Sequence, residues 1–527
     1  MNRRIIFYDS TLRDGAQAEG ISFSVRDKIN IVKTLDELGI DYIEAGNPFS
    51  NPKDIEFFNE IQNLKLNSKI VAFGSTRRKG IRAEEDKNLM SLLSANVSTV
   101  AIFGKSWDLH VTEILKTTLD ENLSMIFDTV KFLKDSGKEV VFDAEHFFDG
   151  YKRNSEYAIK TLLTAEKAGA NCICLCDTNG GCFPMEIAEI VRAVKEEVKT
   201  TLAIHTHDDG GMAVANSVVA VENGVDAVQG TLLGYGERCG NANLSVILAN
   251  LQLKRGYETG VSENIKNLTT ACRKIAEISN VRLNKNMPYV GKSAFAHKAG
   301  MHIDGVRKSS NSFEHVSPDS VGNSRRFLMS EVAGRSTIIA KIQKFAPEVD
   351  KDSEIASRIV EKIKELEFKG YQFEGAEASF ELLVLKQLEK YKPYFEIIKF
   401  KTIGEQSMRG DFSPASAMVK VAVNSQTEIT ADEGNGPVNA LDKALRKALE
   451  RFFPNLSEMK LTDYKVRILD SKENTSAVTR VLIESSDGED IWTTIGVSKD
   501  IIEASLIACV DAIEYKLIKD SKKMEKQ

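Results

Sequence analysis

The stretch IIFYDSTLRDGAQ (residues 5–17) decides the fold, because an apolar run typical of a buried strand ends abruptly in polar and charged residues. Similar runs recur up to about residue 255, and each is followed by an amphipathic helical pattern. The predicted strands are 5–11, 42–48, 69–75, 98–104, 139–145, 172–178, 200–208 and 227–234. Eight β/α units predict an α/β fold with a closed (β/α)₈ TIM barrel rather than an open sheet.

The helical patterns carry their own start and stop signals. The pattern over 25–38 ends at Gly39, and the pattern over 183–198 has Pro184 in its first turn. We therefore assign residues 1–270 to a catalytic barrel.

The remainder of the chain changes character twice. Residues 271–375 are mostly helical and charged, with a turn-rich stretch at 308–321, and are assigned to linker or lid subdomains. Residues 376–520 are assigned to an allosteric or dimerisation domain of two βββα halves. Its predicted strands are 394–402, 417–423, 426–432, 461–470, 477–484 and 491–497, with helices at 437–453 and 500–517. The tail 519–527 is expected to be disordered.

Composition restricts the class of protein. The chain has 527 residues, 42% hydrophobic content and a net charge of -6, with no basic stripe, which argues against a nucleic-acid partner. Because no apolar run approaches membrane-spanning length, we expect a soluble cytoplasmic protein without a membrane partner. Its seven cysteines lack CxxC spacing, as expected of reduced thiols, and Cys172, Cys174 and Cys176 are predicted to share one face of a buried strand.

Polar residues at the carboxyl ends of barrel strands are the candidates for chemistry. Arg13 and Asp14 follow the first strand, Glu145 ends the fifth, and Thr178 ends the sixth. The segment HTHDDGG at the end of the seventh strand adds His205 and His207, and the segment GYGERCGN after the eighth strand adds Asn241.

His205 and His207 are two residues apart on a strand, so their side chains are predicted to point the same way and to bind one metal ion. Asp14 and Asn241 offer oxygen ligands at other strand ends, and this donor set suits Mg²⁺, Mn²⁺ or Zn²⁺. Structural alternatives remain open. The histidines could satisfy local hydrogen bonds, Arg13 and Asp14 could form a surface ion pair, and Glu145 could be a carboxylate at the start of a helix.

These motifs resemble the signatures of the isopropylmalate, homocitrate and citramalate synthase family. The resemblance covers nearly the whole chain and includes DSTLRDGAQ (9–17), HTHDDGGMAVANS (205–217) and GYGERCGNANL (234–244). The segments DAEHFFDGYKRN (143–154), CDTNGG (176–181), KSAFAHKAGMHIDGV (292–306) and TADEGNGPVNALDKALRKAL (430–449) are most similar to the citramalate branch.

The resemblance implies condensation of acetyl-CoA with pyruvate in isoleucine biosynthesis, in a homodimer with isoleucine as the effector. It implies metal ligation by Asp14, His205, His207 and Asn241, and binding of the 2-oxo acid carboxylate by Thr178. Arg13 and Glu145 match catalytic residues, and His302 matches a histidine that acts across the dimer. The chain departs from the family at Phe313, where a tyrosine is usual, and a phenyl ring cannot donate a hydrogen bond.

Other functions compete with this hypothesis. Pyruvate and 2-oxoisovalerate differ by few carbon atoms, so a 2-isopropylmalate synthase is the main alternative. Related barrels act as metal-dependent lyases or aldolases. A non-enzymatic amino-acid sensor is disfavoured, because every expected ligand position is filled. The C-terminal domain could also serve dimerisation alone.

Overall fold

Eight parallel strands close into a barrel in the structure, a computed structural model that describes residues 3–298, 300–327, 335–350, 353–404, 414–469 and 477–524. Each strand pairs with the next, and the first pairs with both the second and the eighth, so the predicted (β/α)₈ barrel is confirmed. The strands are β1 (Arg4–Asp9), β2 (Tyr42–Gly46), β3 (Lys69–Ser75), β4 (Thr99–Lys105), β5 (Glu139–Glu145), β6 (Cys172–Asp177), β7 (Thr201–Thr206) and β8 (Ala227–Gly230), and the short β9 (Glu258–Thr259) adds to β1.

Helices follow each strand and cover the outside of the barrel. The first is capped at both ends, by a Ser24–Asp27 capping box and by Gly39 with a φ of 97°. The helices of the barrel half are α1 (Val25–Leu38), α2 (Pro52–Ile61), α3 (Lys87–Ser94), α4 (Leu119–Asp135), α5 (Phe147–Arg153), α6 (Ser155–Ala168), α7 (Pro184–Glu197), α8 (Ala213–Glu222), α9 (Leu244–Ala249) and α10 (Leu268–Ile278).

Five strands end earlier than their apolar runs predict, and three of them, β1, β7 and β8, shape the barrel mouth. β1 stops at Asp9 because the Asp9 carboxylate accepts the Thr11 backbone N–H at 2.9 Å, which turns the chain. β8 stops at Gly230, and the chain then folds back so that the Ala242 N–H donates to the Thr206 carbonyl at 2.9 Å. β7 stops at Thr206, and an isolated bridge then pairs His207 with Asn241. These early turns bring the polar segments together at the barrel mouth.

The chain divides into two compact units, residues 1–296 with 309–326 and residues 297–308 with 327–527. The linker is mostly helical, as predicted. Its elements are β10 (Ala296–His297), α11 (Gly300–Lys308), β11 (Arg326–Phe327), α12 (Arg335–Phe345), α13 (Glu354–Phe368) and α14 (Glu377–Gln387). The turn-rich stretch is also observed, as 3₁₀ turns at Ser310–Ser312 and Pro318–Val321.

The last part of the chain contains the two predicted βββα halves. Each half has a three-stranded antiparallel sheet and one long helix, and buried residues of both halves form a common core. The elements are β12 (Glu396–Ile403), β13 (Ala415–Val423), β14 (Gln426–Gly434), α15 (Pro437–Leu449), β15 (Lys460–Ile468), β16 (Thr479–Ser486), β17 (Ile491–Ser498) and α16 (Ile501–Met524). The predicted end of the fourth of these strands, residue 470, lies outside the described residues.

The prediction of a disordered tail over 519–527 is wrong as far as Met524, because α16 continues to that residue. Buried ion pairs hold its last turns. Lys516 contacts Asp487 at 3.2 Å and Asp520 at 2.8 Å, and Lys519 contacts Asp487 at 2.7 Å. Residues 525–527 lie outside the described part of the chain. In the part that is described, we find no helix with both the length and the apolarity that a membrane crossing requires.

Candidate active site at the barrel mouth

Two histidines and an aspartate converge at the barrel mouth. His205 Nε2 lies 3.2 Å from His207 Nε2 and 3.8 Å from Asp14 Oδ2. All three side chains are buried. Two nitrogens each about 2.0–2.1 Å from one ion would have a similar separation. The group is one of two among the described residues whose ligand atoms could hold a single metal ion.

The protonation states of these residues suit a cation. Burial, with a contribution from His207, lowers the pKa of His205 to about 3, so its imidazole is neutral near pH 7. Burial also lowers the pKa of His207. Burial acts to raise the pKa of Asp14, but Arg13 and the two histidines outweigh it and lower that pKa to about 2. The site therefore combines neutral imidazoles with an ionised carboxylate.

Asn241 completes the cluster from the segment after β8. Its Nδ2 donates to Asp14 Oδ1 at 2.8 Å, whereas its own Oδ1 is buried without a hydrogen-bond partner. Rotation of the terminal amide would exchange the two atoms and direct the oxygen towards Asp14. In that orientation the amide oxygen would join the Asp14 carboxylate and the two imidazoles, and such a donor set fits a divalent cation.

Arg13 is held rigidly beside this cluster. Its Nη1 donates to Asp14 Oδ2 at 2.9 Å, its Nε donates to Glu44, and its guanidinium lies 3.8 Å from the centroid of the Phe73 ring. Burial acts to lower the pKa of Arg13, but the adjacent Glu44 and Asp14 outweigh it and hold that pKa above its ordinary value. The alternative of a plain surface ion pair does not hold, since the Arg13 and Asp14 side chains are only 12% and 7% exposed.

Glu145 and Thr178 lie at neighbouring strand ends. Glu145 forms an ion pair with Lys105 of β4. Thr178 Oγ1 accepts the His146 backbone N–H at 2.8 Å, and its carbonyl accepts from Arg238 at 2.7 Å. His146 has a φ of 55°, a region that non-glycine residues adopt rarely and that is often found at functional sites.

His302 and Phe313 are not part of this cluster. His302 lies on α11 in the second unit, and its side chain is exposed. Phe313 lies in the first unit, just after a 3₁₀ turn, and is 44% exposed.

Sequence reasoning missed Glu44 and Lys105, which orient Arg13 and Glu145. Glu44 is completely buried in β2, where Tyr8 Oη also donates to it. Burial raises the pKa of Glu44, although Arg13 and Tyr8 lower it. The sequence did contain a signal for Glu44, which is a carboxylate inside an apolar run. A charge that is buried in this way needs a partner.

Comparison with known proteins identifies the family to which this chain belongs. The chain belongs to the HMGL-like family, whose family model matches residues 4–281. A homocitrate synthase post-HMGL domain-like model matches residues 289–370, and the LeuA allosteric (dimerisation) domain model matches residues 374–517.

Within this class the chain belongs with the (R)-citramalate synthases. It is 51% identical to the (R)-citramalate synthase of Aquifex aeolicus, over 99% of both chains, and 51% identical to that of Geobacter sulfurreducens, over 97% of both chains. A probable 2-isopropylmalate synthase of Methanopyrus kandleri is 30% identical, over 97% of this chain and 98% of its own.

Proposed function

We propose that this chain condenses acetyl-CoA with pyruvate and hydrolyses the thioester, giving (R)-citramalate and CoA. The observation that carries the proposal is the 51% identity to citramalate synthases over almost the full chain. The 30% identity to a probable 2-isopropylmalate synthase favours that alternative less.

Asp14, His205, His207 and Asn241 are proposed to hold a divalent cation, Mg²⁺, Mn²⁺ or Zn²⁺. When bound, such an ion would act as a Lewis acid on the 2-oxo acid and would orient it. The neutral imidazoles, the ionised carboxylate and the orphaned amide oxygen described above support this assignment.

Arg13 is proposed to stabilise the negative charge that develops on oxygen during the reaction. Its guanidinium is fixed by Glu44, Asp14 and Phe73 before substrate arrives, so little reorganisation is needed. A preorganised donor of this kind contributes about 3–4 kcal/mol to transition-state stabilisation.

Thr178 is proposed to bind the pyruvate carboxylate. Its Oγ1 already accepts the His146 N–H, so the hydroxyl hydrogen can be directed to a substrate oxygen. Arg238 also holds Thr178 in place, because it donates a hydrogen bond to the Thr178 carbonyl. Arg238 Nε in turn forms an ion pair with Asp209 Oδ1 at 2.7 Å.

The base that removes the acetyl methyl proton is proposed to be His302 working with Glu145. The ion pair with Lys105 orients Glu145, and His302 would come from the partner of a homodimer. The enolate carbon then attacks the keto carbon of pyruvate, and water cleaves the thioester and releases CoA.

The test is CoA release by the purified protein with acetyl-CoA and either pyruvate or 2-oxoisovalerate. We expect a higher kcat/KM for pyruvate, and the reverse order would favour a 2-isopropylmalate synthase. Incubation with citramalate or hydroxymethylglutaryl-CoA tests the lyase alternative, which requires cleavage of one of them.

The C-terminal domain, assigned to 376–520, is proposed to bind isoleucine and to mediate dimerisation, as part of isoleucine biosynthesis. The match to the LeuA allosteric (dimerisation) domain supports regulation and assembly in general, and isoleucine is the more specific proposal. Isothermal titration with isoleucine, leucine and valine tests it, and no heat with any of them would favour dimerisation alone. The limits 1–270 and 271–375 and a cytoplasmic location remain predictions.

A further inference from the structure

A second group of potential ligands lies inside the barrel, directly beside and below the cluster at the mouth. Cys174 and Cys176 alternate on β6 and share one face, and Asp143 of β5 is the register partner of Cys174. One ligand atom of each residue lies within 4.8 Å of the others, and all three residues are buried. This group shares no residue with Asp14, His205 and His207, although Cys176 is the register partner of His205 on β7.

The polar atoms of this group are poorly satisfied. Asp143 Oδ1 and the neighbouring Gln229 Nε2 are buried and have no regular hydrogen-bond partner. The thiols make only weak contacts, from Cys174 Sγ to Gln229 Oε1 at 3.7 Å and from Cys176 Sγ to the Cys174 carbonyl at 3.6 Å. Because an unsatisfied buried carboxyl oxygen is costly, a ligand that bonds to it would stabilise this arrangement.

A cavity of about 190 Å³ leads to the group from the opposite end of the barrel. Its walls include Glu139 and Asn171, which are solvent-accessible, and it reaches Cys174. The interiors of such barrels are usually filled by branched side chains, whereas Ala203 and Ala227 leave space here. A small ion could therefore reach Cys174 without passing through the mouth.

We propose that Asp143, Cys174 and Cys176 form a second cation site that binds a thiophilic ion such as Zn²⁺ or Cd²⁺. Thiolates select soft ions, whereas the imidazole, carboxylate and amide donors of the mouth also suit Mg²⁺ and Mn²⁺. Two thiolates, one carboxylate and a fourth ligand, either Gln229 Oε1 or water, would give the tetrahedral coordination typical of zinc. Binding releases the two thiol protons to solvent, together with the proton of the Asp143 carboxyl, whose pKa burial raises to about 8, so affinity should increase with pH.

The site can be tested by titrating the full-length protein with Cd²⁺ in excess Mg²⁺ and recording the ultraviolet thiolate-to-Cd²⁺ charge-transfer absorption. We expect the absorption to saturate with a single equivalent of tightly bound ion. Cys174→Ser and Cys176→Ser should each weaken binding by at least about tenfold, because each removes a ligand. Cys239→Ser is the matched control, because it removes an exposed thiol elsewhere and should leave the absorption unchanged.

The proposal would be overturned by the absence of this absorption in the wild type, or by its persistence in the Cys174→Ser/Cys176→Ser double variant. A second measurement needs no variant. Zinc X-ray absorption of the wild-type protein carrying two equivalents of Zn²⁺, enough to fill both sites, should show sulfur neighbours at about 2.3 Å, and a shell of only nitrogen and oxygen would contradict the site. Neither readout depends on catalysis, so failure of the proposed condensation reaction would leave this test intact.

Discussion

His205 Nε2 and His207 Nε2 face each other across 3.2 Å at the barrel mouth, with Asp14 Oδ2 3.8 Å from His205 Nε2. Two neutral imidazoles can share only one N–H···N hydrogen bond at this distance, and both Nδ1 atoms are buried without a partner. A shared cation would explain why the two rings and the carboxylate converge.

His205→Ala should lower kcat/KM for CoA release by at least about 100-fold, because Lewis-acid stabilisation is worth several kcal/mol. It should also reduce the increase in Tm that Mn²⁺ gives the wild type, which can be followed by calorimetry. His315→Ala is the control, since this exposed histidine packs against Tyr289 away from the cluster. Full activity of metal-stripped wild-type protein would contradict the metal assignment.

Glu44→Gln should lower kcat, because Arg13 loses the charged partner that orients its guanidinium. Removing one member of a buried ion pair also costs about 3–5 kcal/mol, so the free energy of unfolding should decrease. Steady-state kinetics and urea unfolding measure the two effects. Glu56→Gln, at an exposed position on α2, should change neither, and an equal loss in that variant would rule out the proposed role of Glu44.

Thr178→Val should raise KM for pyruvate by about 10–100-fold, the value of one hydrogen bond to a charged group, and leave KM for acetyl-CoA unchanged. Thr178→Ser retains the hydroxyl that accepts from His146 and should stay close to wild type. The measurement is a pair of saturation curves, one for each substrate. An equal rise of both KM values would indicate a general distortion of the mouth.

Asp487→Asn should destabilise the second unit by about 3 kcal/mol at pH 7, because it leaves Lys516 and Lys519 buried with less compensating charge. Burial acts to raise the pKa of Asp487, but Lys519 and the Asp490 backbone outweigh it and hold that pKa below its ordinary value. Its stabilising contribution is therefore present above about pH 4 and is lost as the pH falls further.

The stability difference between wild type and Asp487→Asn, measured by urea unfolding, should accordingly stay constant from neutral pH to about pH 5 and shrink below about pH 4. Asp490→Asn is the matched control, since Asp490 also contacts Lys519 but its side chain is 60% exposed. A difference that grows on acidification would contradict the assignment.

The sequence pattern predicted the strands well because their periodicity is local. β3 and β5 match their predicted runs residue for residue, and errors at other strands arose where side chains turn the chain, as Asp9 does after β1. Proximity of the strand-end candidates followed from the barrel geometry, which brings the carboxyl ends together.

Long-range partners could not be predicted in this way. Glu44 contacts Arg13 only because β2 lies beside β1 in the closed sheet. A single polar residue within an apolar run does not indicate which distant residue it will pair with. The end of α16 was missed for a related reason. Its lysines suggest a solvated tail, but Asp487, a distant residue, pairs with Lys516 and Lys519.

The hydrogen bond between Asn241 and Asp14 joins residues that are 227 positions apart, at the seam where β1 meets β8. The candidate cluster straddles this seam, so no shorter part of the barrel can assemble it. During synthesis an ion could bind at this cluster only after all eight strands had left the ribosome. An ion bound at this cluster would therefore be found only in chains whose barrel has closed. Its binding would stabilise the closed barrel relative to every partly folded form of the chain.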